Sequence, residues 1–264
     1  MTVTIQQVVD KLIEPVGRLE MTVDKLEPGN PETEVSGVGV TFLLTQEVLE
    51  DAIKLGINLI ISHEGPFYSH HDQKDALAQN AVYLEKRRLL EESGIAVFRC
   101  HDYVHRYKPD GITQGLVEAL QWQSNIEEIL PAATVVSLPP MTVEEIAAWV
   151  KSKLGVPFVR VTGNASNPVS RVGVAVGYRG GGSVTIPLFA EKELDLIIAG
   201  EGQEWEAPEY VRDATHQGRN KTMLFIGHGA SEEPGMERLA EWLQEAFPAV
   251  PVHFLAQRPL FRVL

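Results

Sequence analysis

Cysteine is almost absent from this chain of 264 residues, because Cys100 is its only one. A single cysteine forms no intrachain disulfide, so a reducing compartment is expected. Cys100 ends an apolar run, and we interpret it as a small buried residue rather than a nucleophile. The length still allows one large domain or two modest lobes, each with a real hydrophobic core.

Long apolar runs are also missing. No stretch approaches the ~20 apolar residues that a membrane-spanning helix needs. Residues 1–11 are polar and amphipathic, without the charged start and apolar centre of a signal peptide. We therefore expect a cytoplasmic protein with no membrane partner.

Positive charge is in deficit, with a formal net charge of -13 at pH 7. Proteins that wrap nucleic acids need Lys and Arg to replace the counterions of the phosphates. The charge therefore argues against a nucleic-acid partner. One basic run, Lys86-Arg87-Arg88, is interpreted as a solvated helix face.

What the chain does have is four short apolar runs that stop at residues able to bind a metal or move a proton. They are residues 57–62 before His63-Glu64, 95–100 before His101 and His105, 194–199 before Glu201, and 223–227 before His228 and Glu232. Such runs, alternating with predicted helices, indicate the buried parallel strands of an α/β fold. Open α/β sheets bind ligands beyond the carboxyl ends of their strands, so we expect one shared cluster.

The character of the chain changes after about residue 126, where Leu130-Pro131 and Leu138-Pro139-Pro140 bracket an irregular segment. We expect two α/β lobes of three layers, with mixed, mainly parallel sheets. Residues 1–126 and about 222–264 form the first lobe, which carries most metal ligands. Residues 127–221 form the second, which carries a glycine loop.

Spacing supports a metal site. His228 and Glu232 are four residues apart, which places both on one face of a helix. If the strand ends are neighbours, His63, His105 and Glu232 hold one ion, while Glu64, His228 and Glu232 hold another. These open sets are typical of catalytic metals, and two bridged ions activate a water. The alternative is a Glu favoured by a helix start beside a His that merely follows a strand.

Three other features have more than one interpretation each. The loop Gly180-Gly181-Gly182-Ser183 offers backbone amides for an anion or makes a tight turn; it matches neither a P-loop nor a dinucleotide fingerprint. Glu201 is a candidate general base, a group that orients a ligand, or a plain helix-start carboxylate. The remaining histidines are interpreted as solvated, lid or packing residues, namely His70 and His71 (beside Asp72), His216 and His253.

Together these motifs resemble the NGG-interacting-factor-three-like family, whose members are often described as homologs of a second type of GTP cyclohydrolase I. The similarity covers nearly the whole chain. It lies in residues 62–67, His101 with His105, residues 180–183, residues 199–201, and Gly227-His228-x-x-x-Glu232.

The resemblance implies a two-lobed α/β protein with a dinuclear metal site in the cleft between the lobes, commonly assembled as a toroidal hexamer. The implied metal ligands are His63, Glu64, His105, His228 and Glu232. His101 is expected to orient a ligand or to replace one. The two divalent ions are Zn, Mn, Fe, Co or Ni, since mixed nitrogen and oxygen ligands suit several metals.

Two positions depart from the family, which usually has a second His where Glu64 stands and an Asp where His105 stands. The exchange keeps three imidazoles and two carboxylates, so we expect a retained site with redistributed ligands. A degenerate site that binds one ion or none is the rival. The leading hypothesis is a metal-dependent hydrolase acting on a small phosphorylated or heterocyclic substrate. The alternative is a non-catalytic metal-binding or assembly protein.

Overall fold

The computed structural model describes residues 2–71, 73 and 75–264, which form an α/β fold with two sheets. The helices of these residues are α1 (Ile5–Ile13), α2 (Gln46–Lys54), α3 (Ala81–Ser93), α4 (Asp102–His105), α5 (Gly111–Ala119), α6 (Val143–Leu154), α7 (Gly182–Glu191), α8 (Ala207–His216) and α9 (His228–Ala246). Their strands are β1 (Val38–Thr41), β2 (Leu59–Ser62), β3 (Ala96–Arg99), β4 (Ile126–Ile129), β5 (Thr134–Thr142), β6 (Arg160–Thr162), β7 (Pro168–Ala175), β8 (Leu196–Ala199), β9 (Thr222–Phe225) and β10 (Val252–Phe254).

The chain divides into two compact units. The first contains residues up to Gly111 together with Met236–Arg258, and the second contains Ile112–Gly235 and Pro259–Leu264. The boundaries expected from the sequence, at 126 and about 222, differ from these. Residues 222–235 lie in the second unit because β9 pairs with β8 and β6 of its sheet.

The first unit contains a four-stranded sheet in the order β10-β1-β2-β3, with all pairs parallel. Every residue of β1, β2 and β3 is buried, as expected for parallel strands covered on both faces. Pairing continues past the strand ends, because the amide of His63 donates to the carbonyl of Thr41 and that of Cys100 to Ser62. The residues after β2 and β3 are therefore fixed at one edge of the sheet.

The second unit contains a six-stranded sheet in the order β4-β5-β7-β8-β9-β6. Its centre, β7-β8-β9, is parallel, while β4, β5 and β6 pair antiparallel. The predicted α/β class is confirmed. Strands β4 and β5 were not predicted from the sequence, and Pro139-Pro140 argues against a strand at β5. The register of β5 with β7 shifts between Ser137 and Met141, where prolines are tolerated.

Helix ends agree with local chemistry. At α6, Thr142 and Glu145 form a capping box, and Gly155 ends the helix at φ +65°. Helix α3 begins at Ala81, because the Asn80 side chain accepts hydrogen bonds from two amides of its first turn.

Helix α9 begins at His228 and has Pro234 inside it. His228 and Glu232 are therefore both helical. The interpretation of the basic run in α3 as a solvated face is correct only in part. Arg87 and Arg88 are exposed, but Lys86 is 3% exposed.

No helix among residues 2–71, 73 and 75–264 combines the length and the apolar character needed to span a membrane. The cytoplasmic location stays a prediction.

Candidate metal centre

Three histidines of the first unit bring their rings together beyond β2 and β3. We call His63, His101 and His105 the imidazole cluster. Their ring centroids lie 4.7 Å (63–101), 5.1 Å (63–105) and 4.9 Å (101–105) apart. One ring nitrogen from each lies within 4.8 Å of those of the other two. Three nitrogen ligands in this arrangement form a candidate site for a divalent ion.

Each imidazole of the cluster is held at Nδ1 by an oxygen. His63 Nδ1 lies 3.2 Å from the carbonyl of Cys100, His101 Nδ1 2.9 Å from Asp102 Oδ1, and His105 Nδ1 3.1 Å from Asp110 Oδ2. A carbonyl or carboxylate oxygen only accepts, so each Nδ1 donates its proton. In the neutral ring the lone pair is then on Nε2. This is how metal-binding histidines are oriented in proteins.

The short helix α4, which begins directly after His101 and ends at His105, is anchored by the segment 22–24. Asp24 accepts hydrogen bonds from the amides of His101 (2.8 Å) and Tyr103 (2.9 Å). In return, Asp102 accepts from the hydroxyl of Thr22 and the amide of Val23. The cluster thus depends on a distant loop that local sequence patterns did not reveal.

Burial keeps His101 neutral. Desolvation, together with the neighbouring His63 and His105, lowers the pKa of His101 to about 4, although Asp102 and Glu64 act in the opposite direction. At neutral pH its imidazole is therefore unprotonated, the form that binds a metal.

Glu64 makes an ion pair with Arg99. The guanidinium Nη2 lies 2.6 Å from Glu64 Oε2, and the side chain of Arg99 is only 5% exposed. Burial opposes ionisation of Glu64, but His101, His63 and Arg99 together lower the pKa of its carboxyl. Of these three, Arg99 alone carries a permanent charge. One oxygen of Glu64 is thus occupied by a cation within the protein.

His70 joins Glu64 and His101 in a second candidate group, with one ligand atom from each within 4.8 Å of the others. His70 Nδ1 lies 2.9 Å from Arg99 Nη2 and 3.3 Å from Glu64 Oε2. Because the guanidinium repels a divalent cation placed there, the imidazole cluster is the more favourable of the two groups.

In the second unit, one imidazole lies between two carboxylates. His228 Nδ1 is 2.8 Å from Glu201 Oε1, and its Nε2 is 3.1 Å from Glu232 Oε2. We call these three residues the His228 group. Burial disfavours the charged ring, but Glu232 and Glu201 outweigh it and raise the pKa of His228 to about 9. His228 is therefore a cation at neutral pH.

The backbone closes tightly around the His228 group. Gly177 has φ +56°, and a Cβ on it would overlap Glu232 and lie 3.0 Å from His228 Nε2. The amide of Gly177 donates to Ser231, whose hydroxyl donates to the carbonyl of His228. Only glycine fits this position.

The glycine loop has a partner inside the protein. The amide of Gly182 donates to Glu206 Oε2 at 2.6 Å, at the start of α7. A Cβ on Gly180 would overlap the carbonyl of Glu201, and one on Gly202 would overlap the carbonyl of Gly180. The glycines therefore allow two backbones to approach, and a carboxylate holds the amide that was expected to meet an anion.

The family model described as Duf34/NIF3 (NGG1p interacting factor 3) matches residues 5–259. The chain belongs to this family. The family membership predicted from the motifs is confirmed.

Members of the Duf34/NIF3 family are among its similar proteins. A GTP cyclohydrolase 1 type 2 homolog of Escherichia coli (strain K12) is 25% identical over 209 residues, 78% of each chain. One of Clostridium perfringens is 25% identical over 225 residues, 82% of this chain and 81% of the relative. A Bacillus cereus protein related to NIF3 has the same fold, with a TM-score of 0.81, 17% identity, and coverage of 100% and 99%.

Within this NIF3 fold, the structure brings the predicted residues together in two sets. The first set is the imidazole cluster, in which His101 joins His63 and His105. The second set is the His228 group. Glu64 lies beside the first set but is paired with Arg99. The assignment of all five predicted ligands to two ions stays a prediction.

Sequence reasoning missed Arg99 and underrated His70. Arg99 was assigned only to a buried strand, and a charged residue at the end of such a strand was the available signal. His70 was interpreted as a loop residue; it is 44% exposed at its side chain yet contacts Glu64 and Arg99. His71 contacts His70 and is exposed, and Asp72 lies outside the described residues.

Proposed function

We propose that this chain is a metal-dependent hydrolase whose divalent ion is bound by the imidazole cluster. The observation that carries the proposal is the convergence of three imidazoles. In each of them Nδ1 donates a hydrogen bond to an oxygen. A histidine cluster that only packed would not need three separate oxygens to set the same tautomer.

The charge around the cluster supports the same conclusion. His63 is fully buried, and His101 and His105 have side chains 20% and 12% exposed. Protonation of His101 would place a charge in a poorly solvated place beside two further imidazoles. A bound divalent ion is attracted to the neutral lone pairs, and it supplies an activated water and an electrophile for a substrate oxygen.

The remaining side chains receive roles from their contacts. Glu64 keeps Oε1 toward His101, 3.9 Å from its Nε2, while Oε2 stays on Arg99. Glu64 is thus placed to accept a proton or to add a ligand oxygen. Glu201 orients His228 through Nδ1, so we assign it a positioning role rather than that of a general base.

The family resemblance carries the rest of the proposal. It assigns His228 and Glu232 to the same centre, with a second ion, and it favours a homo-oligomeric ring. The names of the curated relatives, GTP cyclohydrolase 1 type 2 homologs, favour a small phosphorylated or heterocyclic substrate. A non-catalytic metal-binding protein is the competing function.

Metal analysis of the purified full chain tests the metal site. Wild type is expected to hold at least one divalent ion per chain after exposure to Zn, Mn, Co or Fe. His63→Ala and His101→Ala are expected to lose it, whereas His216→Ala, which removes an exposed histidine of α8, keeps it. Equal metal content in all four proteins contradicts the site.

Hydrolysis is tested with the metal-loaded protein on phosphoesters and nucleotides. Turnover that His101→Ala abolishes and His216→Ala preserves supports the enzyme. Metal retention with no turnover under any of the four ions supports the non-catalytic alternative. Ion counts in Glu232→Gln, compared with wild type, test whether the His228 group contributes ligands, and the mass of the native assembly tests the ring.

A further inference from the structure

The first unit contains a cavity of about 470 Å³ beside Arg99 and His70. Its walls come from residues 22–28, residues 65–71, helix α3 and strand β3. A volume of this size accommodates a small organic ligand. The cavity shares Gly65 and His70 with the loop that follows His63 and Glu64, so an occupant would lie next to the candidate metal ligands.

Apolar and aromatic side chains form much of the wall. Phe67, Tyr83, Leu90 and Val97 line it, and each is at most 7% exposed. The rings of Phe67 and Tyr83 pack edge to face, with centroids 5.0 Å apart. These side chains suit a ligand with a flat apolar body.

Arg99 supplies a buried positive charge to the same cavity. Its Nη1 donates to the carbonyl of His70 at 2.6 Å, and its Nε donates to the carbonyl of His63 at 3.4 Å. Its Nη2 contacts Glu64 Oε2 and His70 Nδ1. A guanidinium has five N–H donors in one plane, a geometry that matches a carboxylate or a phosphate.

The rim of the cavity contributes little net charge. Lys25 pairs with Glu27 at 2.6 Å and Arg87 with Glu91 at 2.7 Å, and all four side chains are about half exposed. Exposed pairs of this kind are weak and sum to zero charge. The buried guanidinium of Arg99 is therefore the group that selects the charge of an occupant, and Glu64, which does not line the cavity, is its competitor.

We propose that this cavity binds a small ligand with a flat apolar body and one anionic group, a carboxylate or a phosphate monoester, and that the anion replaces Glu64 on Arg99. The inference rests on the proposed function for its second step. A displaced Glu64 keeps Oε1 on the side of His101, and its whole carboxylate would be free to bind an ion held by the imidazole cluster. Ligand and metal then strengthen each other's binding by the same factor, as linkage requires.

The first experiment uses the full chain freed of metal with a chelator. Phenyl phosphate, benzoate and phenol share a ring and differ in the anionic group, so calorimetric titration with each separates the phosphate source, the carboxylate source and the ring alone. At least one anion is expected to bind about tenfold or more tightly than phenol. Equal binding of all three, or none, overturns the proposal.

Variants identify the group responsible. Arg99→Met is expected to weaken the anion about tenfold or more. Glu64→Gln is expected to tighten anion binding about tenfold, because a neutral amide replaces the competing carboxylate. Arg88→Met removes one positive charge from an exposed position of α3 and is expected to change nothing.

The gain expected of Glu64→Gln keeps the test decisive, since a variant that merely damages the fold does not bind more tightly. If Arg99→Met does not fold, Arg99→Lys, which keeps the charge but loses the planar fork, is expected to bind the anion more weakly than wild type. Anion binding unchanged in Glu64→Gln overturns the displacement.

The second experiment measures Zn²⁺ affinity by chelator competition, with and without a saturating amount of the anion that bound. Affinity is expected to rise at least about fivefold. An unchanged Zn²⁺ affinity overturns the coupling while the cavity stands. A chain that binds the anion but no metal contradicts the proposed function and leaves the ligand site intact.

Discussion

The imidazole cluster of the first unit and the His228 group of the second use the same residue type in opposite charge states. Burial acts in the same direction on both, against the protonated ring. The pKa of His101 nevertheless falls to about 4 while that of His228 rises to about 9. For His101, burial is the largest cause, and with the neighbouring imidazoles it outweighs the carboxylates of Asp102 and Glu64. For His228, the hydrogen-bonded carboxylates of Glu232 and Glu201 outweigh burial.

This difference changes what a metal meets. The neutral imidazole of His101 accepts a cation without losing a proton. His228 must first release one, so an ion bound there competes with a proton at every pH below about 9. We therefore expect metal binding to the cluster to persist to lower pH than any metal contact of His228.

The largest effect is expected from Gly177→Ala, because the backbone at residue 177 packs directly against the His228 group. The new Cβ overlaps Glu232 and the residue has φ +56°, so the free energy of unfolding is expected to fall by about 3 kcal/mol. Gly218→Ala is the matched control: it also has positive φ, +73°, but no atom within 4 Å, and a cost of about 1 kcal/mol is expected. Denaturant titration measures both; equal losses would show that crowding at Glu232 is irrelevant.

Asp110→Asn tests the orientation of the cluster. The amide removes the charge that holds His105 Nδ1, and loss of such a partner typically lowers metal affinity 10–100-fold. Chelator competition with Zn²⁺ measures the change. Asp213→Asn makes the same chemical change at an exposed residue of α8 in the second unit and is expected to bind as wild type does. A wild-type affinity in Asp110→Asn would remove Asp110 from the centre.

Glu201→Gln tests the charge of His228. Because the pKa of His228 is raised from 6.5 to about 9, its contribution to stability is complete below pH 6.5 and is lost as pH rises through about 9. The variant is expected to be less stable than wild type by about 1–2 kcal/mol at pH 6, with little difference at pH 10. Urea unfolding at both pH values, with NMR titration of the ring, measures this. Glu204→Gln, an exposed neighbour, serves as control; a pH-independent loss in Glu201→Gln would contradict the assignment.

The sequence predicted the strands that carry these groups because buried parallel strands leave a strong local pattern. Runs of Leu and Ile in β2 and β8, the Met-Leu-Phe run in β9, and the polar residues after them were all visible. It also predicted that His228 and Glu232 meet, since a spacing of four on a helix fixes that contact. Such features depend on neighbours in the chain.

Contacts between residues from distant segments of the chain could not be predicted from the sequence. Nothing near Asp24 in the sequence indicates that it accepts the amides of residues 101 and 103, and nothing near Glu64 indicates that Arg99, 35 positions away, neutralises it. The partner of the Gly182 amide was not predicted for the same reason, since Glu206 lies 24 positions away in the sequence. Anion binding by the glycine loop stays a prediction. These contacts exist only after the strands have paired.

The smallest effect is expected from Lys86→Met. This variant removes a buried cation whose surroundings differ from those of His228. Desolvation lowers the pKa of Lys86 to about 8, and its ammonium has contacts with the carbonyl of Pro66 and the rings of Phe67 and Tyr68. Relief of desolvation and loss of these contacts offset each other, so stability at pH 7 is expected to change by less than about 1 kcal/mol.

The sign of the pH dependence separates Lys86 from His228. Since the unfolded chain binds more protons than the folded chain between pH 8 and 10.5, wild type gains stability over that range, and Lys86→Met is expected to lose that gain. Lys54→Met is the matched control, because Lys54 is exposed and its hydrogen bond with Asp51 raises its pKa above 10.5. A buried cation without a carboxylate therefore favours unfolding until it loses its proton, whereas His228, held by two carboxylates, favours folding until it does. Parallel slopes in Lys86→Met and wild type would show that the carboxylates are not what distinguishes the two sites.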